Sequence, residues 1–188
     1  MIKDSNSIER RLLGLQKGRD SVMALSREMI RMSAKSITLM HARRRGEAAR
    51  LLGRLKAMAA RLKNIEKGHE FYALQANQEY AEACILYNIL TGKGIPGIRR
   101  TGVGEAAYLL GVLDVVGELK REAYEELRHG NADKAGHYYE TMVEIYDSLL
   151  HMRFANSILP DLRRKQDTAR IQIEGTASAL LSFRKSGA

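Results

Sequence analysis

The sequence predicts an all-α protein, a single-domain antiparallel bundle of five to seven helices. Three observations carry that prediction. Apolar residues recur at helical spacing along most of the chain, and nowhere in the alternating pattern of a half-buried strand. Only two prolines, Pro96 and Pro160, interrupt 188 residues. The composition, 45% apolar and 28% charged with no Trp, gives enough apolar surface for one core without the aromatic and β-branched runs of a sandwich or barrel. A chain of this length suits one domain, residues 1–188, and is too short for two comfortable ones.

A seam of Ile8, Leu12, Leu15, Val22, Met29 and Met40 runs close to a 3.5-residue period and predicts a long first helix over about residues 5–45. Ala48, Leu51, Leu52, Leu55, Met58, Ala59 and Leu62 mark a second over about 46–67, broken by Gly68. A third spans about 69–91 and stops at the glycine- and proline-rich stretch from Thr91 to Gly97. A fourth covers about 103–129 and ends at Gly130, a favourable residue just past a helix C-terminus. Asn131 or Asp133 can cap a fifth that reaches about 153, and Pro160 fits the first turn of a last helix to about 184. There is no internal repeat and no low-complexity segment.

Several classes are excluded. No stretch approaches the roughly 18 uncharged apolar residues of a membrane span. The start, Met1 to Ser5, lacks an apolar segment behind its charge, so no secretory signal is expected. One cysteine, Cys84, rules out an internal disulfide framework and a cysteine-based zinc site. The expected location is the cytoplasm.

Charge is distributed unevenly. Residues 1–70 hold 17 basic and 7 acidic side chains, 71–150 hold 7 and 12, and 151–188 hold 7 and 3. A basic front, an acidic middle and a basic tail point to a polyanionic partner, with the acids placed for a separate task. Ordinary solvated helix faces are the plain alternative.

The acids of the middle third lie on segments that are otherwise apolar nearly all round. Between residues 71 and 92 only Glu79 and Glu82 are charged, and between 106 and 117 only Asp114, with Glu118 following. A helix apolar on every face is buried, so these carboxylates sit in or beside a core. Glu79 and Glu82 are three residues apart and Asp114 and Glu118 four, so each pair shares a helix face, with Gln75 and Gln78 extending the first. Two like charges about 4 Å apart repel by roughly 4 kcal/mol at an effective dielectric near 20, before desolvation is counted. Such a group persists when a cation neutralises it or a carboxyl stays protonated. Four carboxylates on two packed helices form a hard oxygen site suited to Mg2+ or Mn2+. Pairing of each acid with an Arg or Lys from a neighbouring helix is the structural alternative.

Arg27, Arg31 and Lys35 step by four along the first helix, followed by His41, Arg43 and Arg44. A stripe of this kind binds phosphates without reading sequence, and its affinity falls steeply with salt. Other motifs carry less. Gly102-Val103-Gly104-Glu105-Ala106-Ala107 follows no strand, so a dinucleotide fold is not expected. Glu66/His69 and Glu126/His129 have the di-iron spacing but abut glycines at helix ends. Cys84 lies among apolar residues with no activating base and reads as a packed thiol.

Two blocks resemble the translin/TRAX family: Tyr108-Leu109-Leu110-Gly111-Val112-Leu113-Asp114-Val115-Val116-Gly117-Glu118-Leu119-Lys120-Arg121, and Gln78-Glu79-Tyr80-Ala81-Glu82-Ala83. Together they are about twenty residues, in the family's order and spacing, and the rest of the chain is compatible helical background. The resemblance implies a translin-like helical domain that assembles into a hollow octamer around RNA. TRAX-like members are Mg2+-dependent endoribonucleases, and translin-like members bind nucleic acid without the full acidic set.

The TRAX-type catalytic acids carry over onto Glu79, Glu82, Asp114 and Glu118, all present here. The resemblance thus implies a metal-dependent endoribonuclease that holds RNA, single-stranded or a short duplex, within a homo-oligomer, with no membrane partner. The four acids would bind Mg2+ or Mn2+ and activate water, with Glu82 or Glu118 open as general base. Arg27, Arg31, Lys35, His41, Arg43 and Arg44 would hold phosphates, and Gly111 and Gly117 would let the helices approach beneath the acids. The alternative is a non-catalytic RNA or single-stranded-DNA-binding protein of the translin type. What separates the two is whether the carboxylates converge without a basic partner among them. An all-α scaffold with no nucleic-acid partner stands third.

Overall fold

A computed structural model describes residues 4–186; Met1 to Lys3, part of the segment read above for targeting, lie outside it, as do residues 187–188. Among the described residues there are seven helices and no strand: α1 (Ser5–His41), α2 (Arg45–Ile65), α3 (Glu70–Leu90), α4 (Ile98–Thr101), α5 (Glu105–Arg128), α6 (Ala132–Leu150) and α7 (Leu162–Ser186). None of them is long and apolar enough to cross a membrane.

The boundaries follow the sequence with three instructive departures. The first helix stops at His41, not 45, because Arg43 turns the chain with φ 60°. In that turn the Arg43 amide donates to the Met40 carbonyl at 3.0 Å and the Arg44 amide to Leu39 at 2.9 Å, a left-handed helix end that usually takes glycine. The last helix starts at Leu162, two residues past Pro160, with Asp161 also at positive φ. Asn131 occupies the cap position of α6 but makes no capping bond; its amide donates to Glu126 Oε2 at 2.9 Å instead. The short α4 inside the expected loop carried no sequence signal, four residues being below any periodicity.

α1 packs on α2 and α3, α3 on α5, and α5 on α6 and α7, so α3 and α5 occupy the centre. That is why both are apolar almost all round. Val22, Met29, Met40, Leu55, Leu62, Tyr80, Ile85, Leu86, Val116, Leu119, Met142 and Ile145 are fully buried between them. Each contributes roughly 1.5–3 kcal/mol relative to an exposed side chain of its kind.

The predicted seam of α1 is only half used. Val22, Met29 and Met40 are in the core, whereas Ile8, Leu12 and Leu15 are 49%, 60% and 58% exposed. The helix simply outruns the rest of the chain. At α7, the buried Gln166 amide donates to the Leu149 carbonyl at 2.7 Å, tying the start of α7 to the end of α6.

Candidate functional site

Glu79 and Glu82 on α3 face Asp114 and Glu118 on α5 because Gly111 lets the two backbones nearly touch. A Cβ at position 111 would lie 2.8 Å from the Gln78 carbonyl oxygen and 3.0 Å from the Glu82 nitrogen. Gly117 has a different neighbour: there a Cβ would meet the Gln172 side-chain nitrogen of α7 at 3.0 Å.

The Glu82 side chain lies within a residue only 8% exposed. Burial first, and then the charges of Asp114, Glu79 and Glu118, push its carboxyl up to about 9. Glu79 is raised for the same reasons, burial ahead of the Asp114 charge, with Lys165 opposing. Among the described residues neither Glu79 nor Glu82 takes part in an ion pair.

Asp114 and Glu118 are partnered. The Lys165 ammonium, from the first turn of α7, donates to Asp114 Oδ1, and the Gln78 amide donates to Asp114 Oδ2 at 2.5 Å. His41, at the end of α1, donates through Nε2 to Glu118 Oε2 and through Nδ1 to Glu122 Oε1 at 2.6 Å. A histidine that donates from both nitrogens is an imidazolium. Burial opposes that charge, but the hydrogen bonds to Glu118 and Glu122 outweigh it and raise the His41 pKa.

The acid row continues along α5 by steps of four, through Glu122 to Glu126. Glu122 is 1% exposed and also accepts from Arg43 Nη1 at 2.6 Å. Glu126 accepts from Arg43 Nη2 at 2.7 Å and from Lys134 Nζ at 2.6 Å. Against burial, these partners hold both carboxyls below the ordinary range: His41 and Arg43 for Glu122, Lys134, Asn131 and Arg43 for Glu126.

The six basic residues read from the sequence therefore divide. Arg27, Arg31 and Lys35 are exposed on successive turns of α1. His41 and Arg43 are spent on the α5 acids, and Arg44 pairs with Glu47 at 2.6 Å on the surface. In place of these last three, a groove of about 540 Å3 runs beside the acids, lined by Arg27, Phe71, Gln75, Gln78, Arg164 and Lys165 among others. Phe71 on its wall is 84% exposed.

The sequence does not mark out Glu122, Lys165 or Phe71, and Glu126 enters it only through the di-iron spacing with His129. The fourfold step from Asp114 and Glu118 points straight to the two glutamates, and the Arg163-Arg164-Lys165 run was a visible charge cluster. Phe71 carried no signal separating it from core aromatics. Glu66/His69 and Glu126/His129 make no metal cluster. Among the described residues no three His, Cys, Asp or Glu groups stand as placed to hold an ion. Cys84 is a half-buried thiol pushed up by burial to about 11.

Comparison with known proteins places this arrangement. The crystal structure of AfC3PO and the structure of an AfC3PO–duplex RNA complex both match with a TM-score of 0.88 at 31% identity. They cover 96% of this chain and 97% and 96% of theirs. Apo-NeC3PO matches with a TM-score of 0.87 at 25% identity over 97% of this chain and 98% of its own. The uncharacterized protein MJ0175 of Methanocaldococcus jannaschii is 30% identical over 169 residues, 88% of this chain and 76% of that protein. The family model described as Translin family matches residues 17–176, a span that takes in both acid-bearing helices and most of the long first helix, and the chain belongs to that family.

Proposed function

We propose that the protein is a TRAX-like, divalent-metal-dependent endoribonuclease. The observation that carries this reading is the Glu82 carboxyl, without an ion-pair partner among the described residues and raised to about 9 by its burial first and then by three neighbouring acids. A stability-driven design would place a cation or an apolar residue there. The all-carboxylate donor set fits a hard cation. Glu79, Glu82, Asp114 and Glu118 would hold Mg2+ or Mn2+ once their side chains rotate inward and Lys165 releases Asp114. When bound, the ion would supply positive charge against the negative charge that develops on the phosphodiester in the transition state.

The chain's own residues supply the rest. Arg27, Arg31 and Lys35 hold phosphates along α1, and Arg164 extends that contact across the groove to α7. The exposed Phe71 offers a stacking face to a base. Gln78 orients Asp114, and His41 fixes the direction of Glu118. Glu82 keeps a proton on its carboxyl at neutral pH and would release it to solvent on becoming a ligand. AfC3PO was solved with duplex RNA, and the match to that fold supports RNA, single-stranded or a short duplex, as the ligand of this chain. The exposed apolar row on α1 supports a homo-oligomer, with an octamer as the family resemblance implies; a native mass measurement checks it.

The second reading, a binding protein for RNA or single-stranded DNA that does not cut, is favoured by one observation. Lys165 and His41 already sit on two of the four acids. Cleavage of an end-labelled RNA with Mg2+ and then with EDTA, comparing the native chain with Asp114→Asn, tests the two. Metal-dependent cutting that falls by at least about a hundredfold in the variant is expected. No cutting, with retained binding that weakens steeply with salt, moves the protein to the binding class.

A further inference from the structure

A second concavity lies on the opposite side of α3 from the acids. It encloses about 400 Å3 between α2, α3 and the segment around α4, at the lower end of small-ligand sites. Its α2 wall is Lys56, Ala59, Ala60 and Lys63, spaced three, four and seven apart and so on one helix face. Arg99 and Arg100 face them from α4. That segment is anchored: the Tyr108 hydroxyl donates to the Pro96 carbonyl at 3.0 Å, and Gly102, with φ 74°, ends the short helix.

Four cations therefore converge on one cleft whose lining includes no acid, and among the described residues none of the four forms an ion pair. The contrast with Arg43, Lys134 and Lys165, each matched to a carboxylate, is sharp. Like charges gathered on a concave, partly apolar wall focus a positive potential into the space between them. The alanines leave that space open, while Asn88 and Cys84 form its floor on α3. Two lysines and two arginines without counter-charge match a compact group bearing two negative charges. A single carboxylate would leave most of the positive charge unmatched.

We propose that this cleft is a phosphate-binding site, separate from the carboxylate cluster, that takes a phosphomonoester: a free nucleotide or the terminal phosphate of a nucleic-acid strand. The inference does not rest on the nuclease reading, since neither the acids nor a metal takes part.

The test uses the full chain at low salt. Inorganic phosphate, adenosine 5′-monophosphate, and one short RNA with a 5′-phosphate or a 5′-hydroxyl are titrated by calorimetry. In parallel, the rate of Cys84 alkylation by iodoacetamide at pH 9 is followed; this single cysteine reports on the cleft alone. Saturable binding of phosphate or the monophosphate, with alkylation slowed at least threefold, is expected. Lys56→Ala with Arg100→Ala should weaken binding at least tenfold and abolish the protection, with Lys56→Arg restoring it. Preference for the 5′-phosphorylated RNA over its hydroxyl twin assigns the strand end, and equal RNA binding with tight monophosphate binding assigns the free nucleotide. Absence of binding and protection with all probes overturns the proposal. So does undiminished binding by the double variant when circular dichroism shows it folded, or a change in its oligomeric state with no phosphate bound by the native chain.

Discussion

The acids between α3 and α5 form two groups, Glu122 with Glu126 on α5 and Glu79 with Glu82 on α3 beside Asp114 on α5, and they behave oppositely. At the Glu122–Glu126 end each carboxylate meets at least two cationic or amide donors, and both pKa values fall. At the Glu79–Glu82–Asp114 end a single lysine serves three acids, and the pKa values of Glu79 and Glu82 rise. Spacing alone does not distinguish them. What does is where α1 ends: His41 and Arg43 reach Glu118, Glu122 and Glu126 on α5, and among the described residues no cation pairs with Glu79 or Glu82 on α3. The paired group is a clasp holding the α1–α2 turn on α5, and the crowded group keeps two raised carboxyls.

The largest expected effect breaks the crowded end. Glu82→Gln should lower metal-dependent RNA cleavage by roughly 10^2–10^3-fold, read on the end-labelled substrate. The same change should stabilise the metal-free fold at pH 8 by roughly 1–3 kcal/mol in urea unfolding, since a strained buried acid is removed. The sign follows from linkage. A carboxyl raised to about 9 in the fold binds more protons there than in the unfolded chain, so native stability falls as pH climbs from the ordinary glutamate value of 4.5 to about 9. The variant should lose that slope, and Mg2+ should flatten it in the native chain.

The paired end responds in the other direction. Glu122→Gln should cost about 3 kcal/mol, because His41 and Arg43 both lose a buried partner, while cleavage falls only roughly tenfold. The lowered Glu122 contributes stability that is present above the ordinary carboxyl pKa and lost as pH falls through its folded value. The raised His41 contributes stability present below its ordinary pKa and lost as pH rises through its folded value. Between about pH 6 and 9 both Glu82 and His41 contribute less stability as pH rises. A series of urea midpoints should show that fall flattened in Glu82→Gln and retained in its Glu82 part in Glu122→Gln. The contribution of opposite sign, that of Glu122, should be missing from Glu122→Gln below the ordinary carboxyl value.

Lys165→Gln sharpens the comparison further. Removing the tethered ammonium from Asp114 should raise Mg2+ affinity by roughly 3–10-fold in calorimetry, since two cations no longer compete for one oxygen pair. The smallest effect contrasts two neighbours in sequence. Arg43→Ala should lower the melting temperature by about 3–6 °C, and Arg44→Ala should leave it unchanged, its partner Glu47 being solvated with it.

Much of this was legible beforehand. The helix order and the burial of α3 and α5 follow from apolar patterning around isolated acids. The four carboxylates lie near one another across these helices, but Lys165 and His41 stand among them, and no three acids of the described residues are placed to hold an ion. What stayed hidden depended on reach across the chain. Nothing in the local sequence says that His41 turns inward while Lys35 turns out, because both lie on a helix that is basic on one side. Arg43 takes a left-handed conformation at a cost of roughly 1–2 kcal/mol, and only the carboxylates some eighty residues away explain why an arginine is kept there. Lys165 stayed hidden because spacing within residues 162–186 does not say which face of α7 packs on α5. The exposed start of α1 went unnoticed for a similar reason: a seam records that a helix packs, not how far its partners extend.

The contact at Gly111 has a mechanical consequence. Two helices that carried repelling acids on ordinary side-chain packing could drift apart by an ångström or so and soften the repulsion. Here α3 and α5 meet backbone to backbone, and the apolar faces around them are fully packed, so the pair has little compliance. The strain between the carboxylates thus has no geometric outlet. It is relieved by taking up a proton, and the stiffness of one glycine contact thereby converts an electrostatic cost of folding into a raised proton affinity at Glu79 and Glu82.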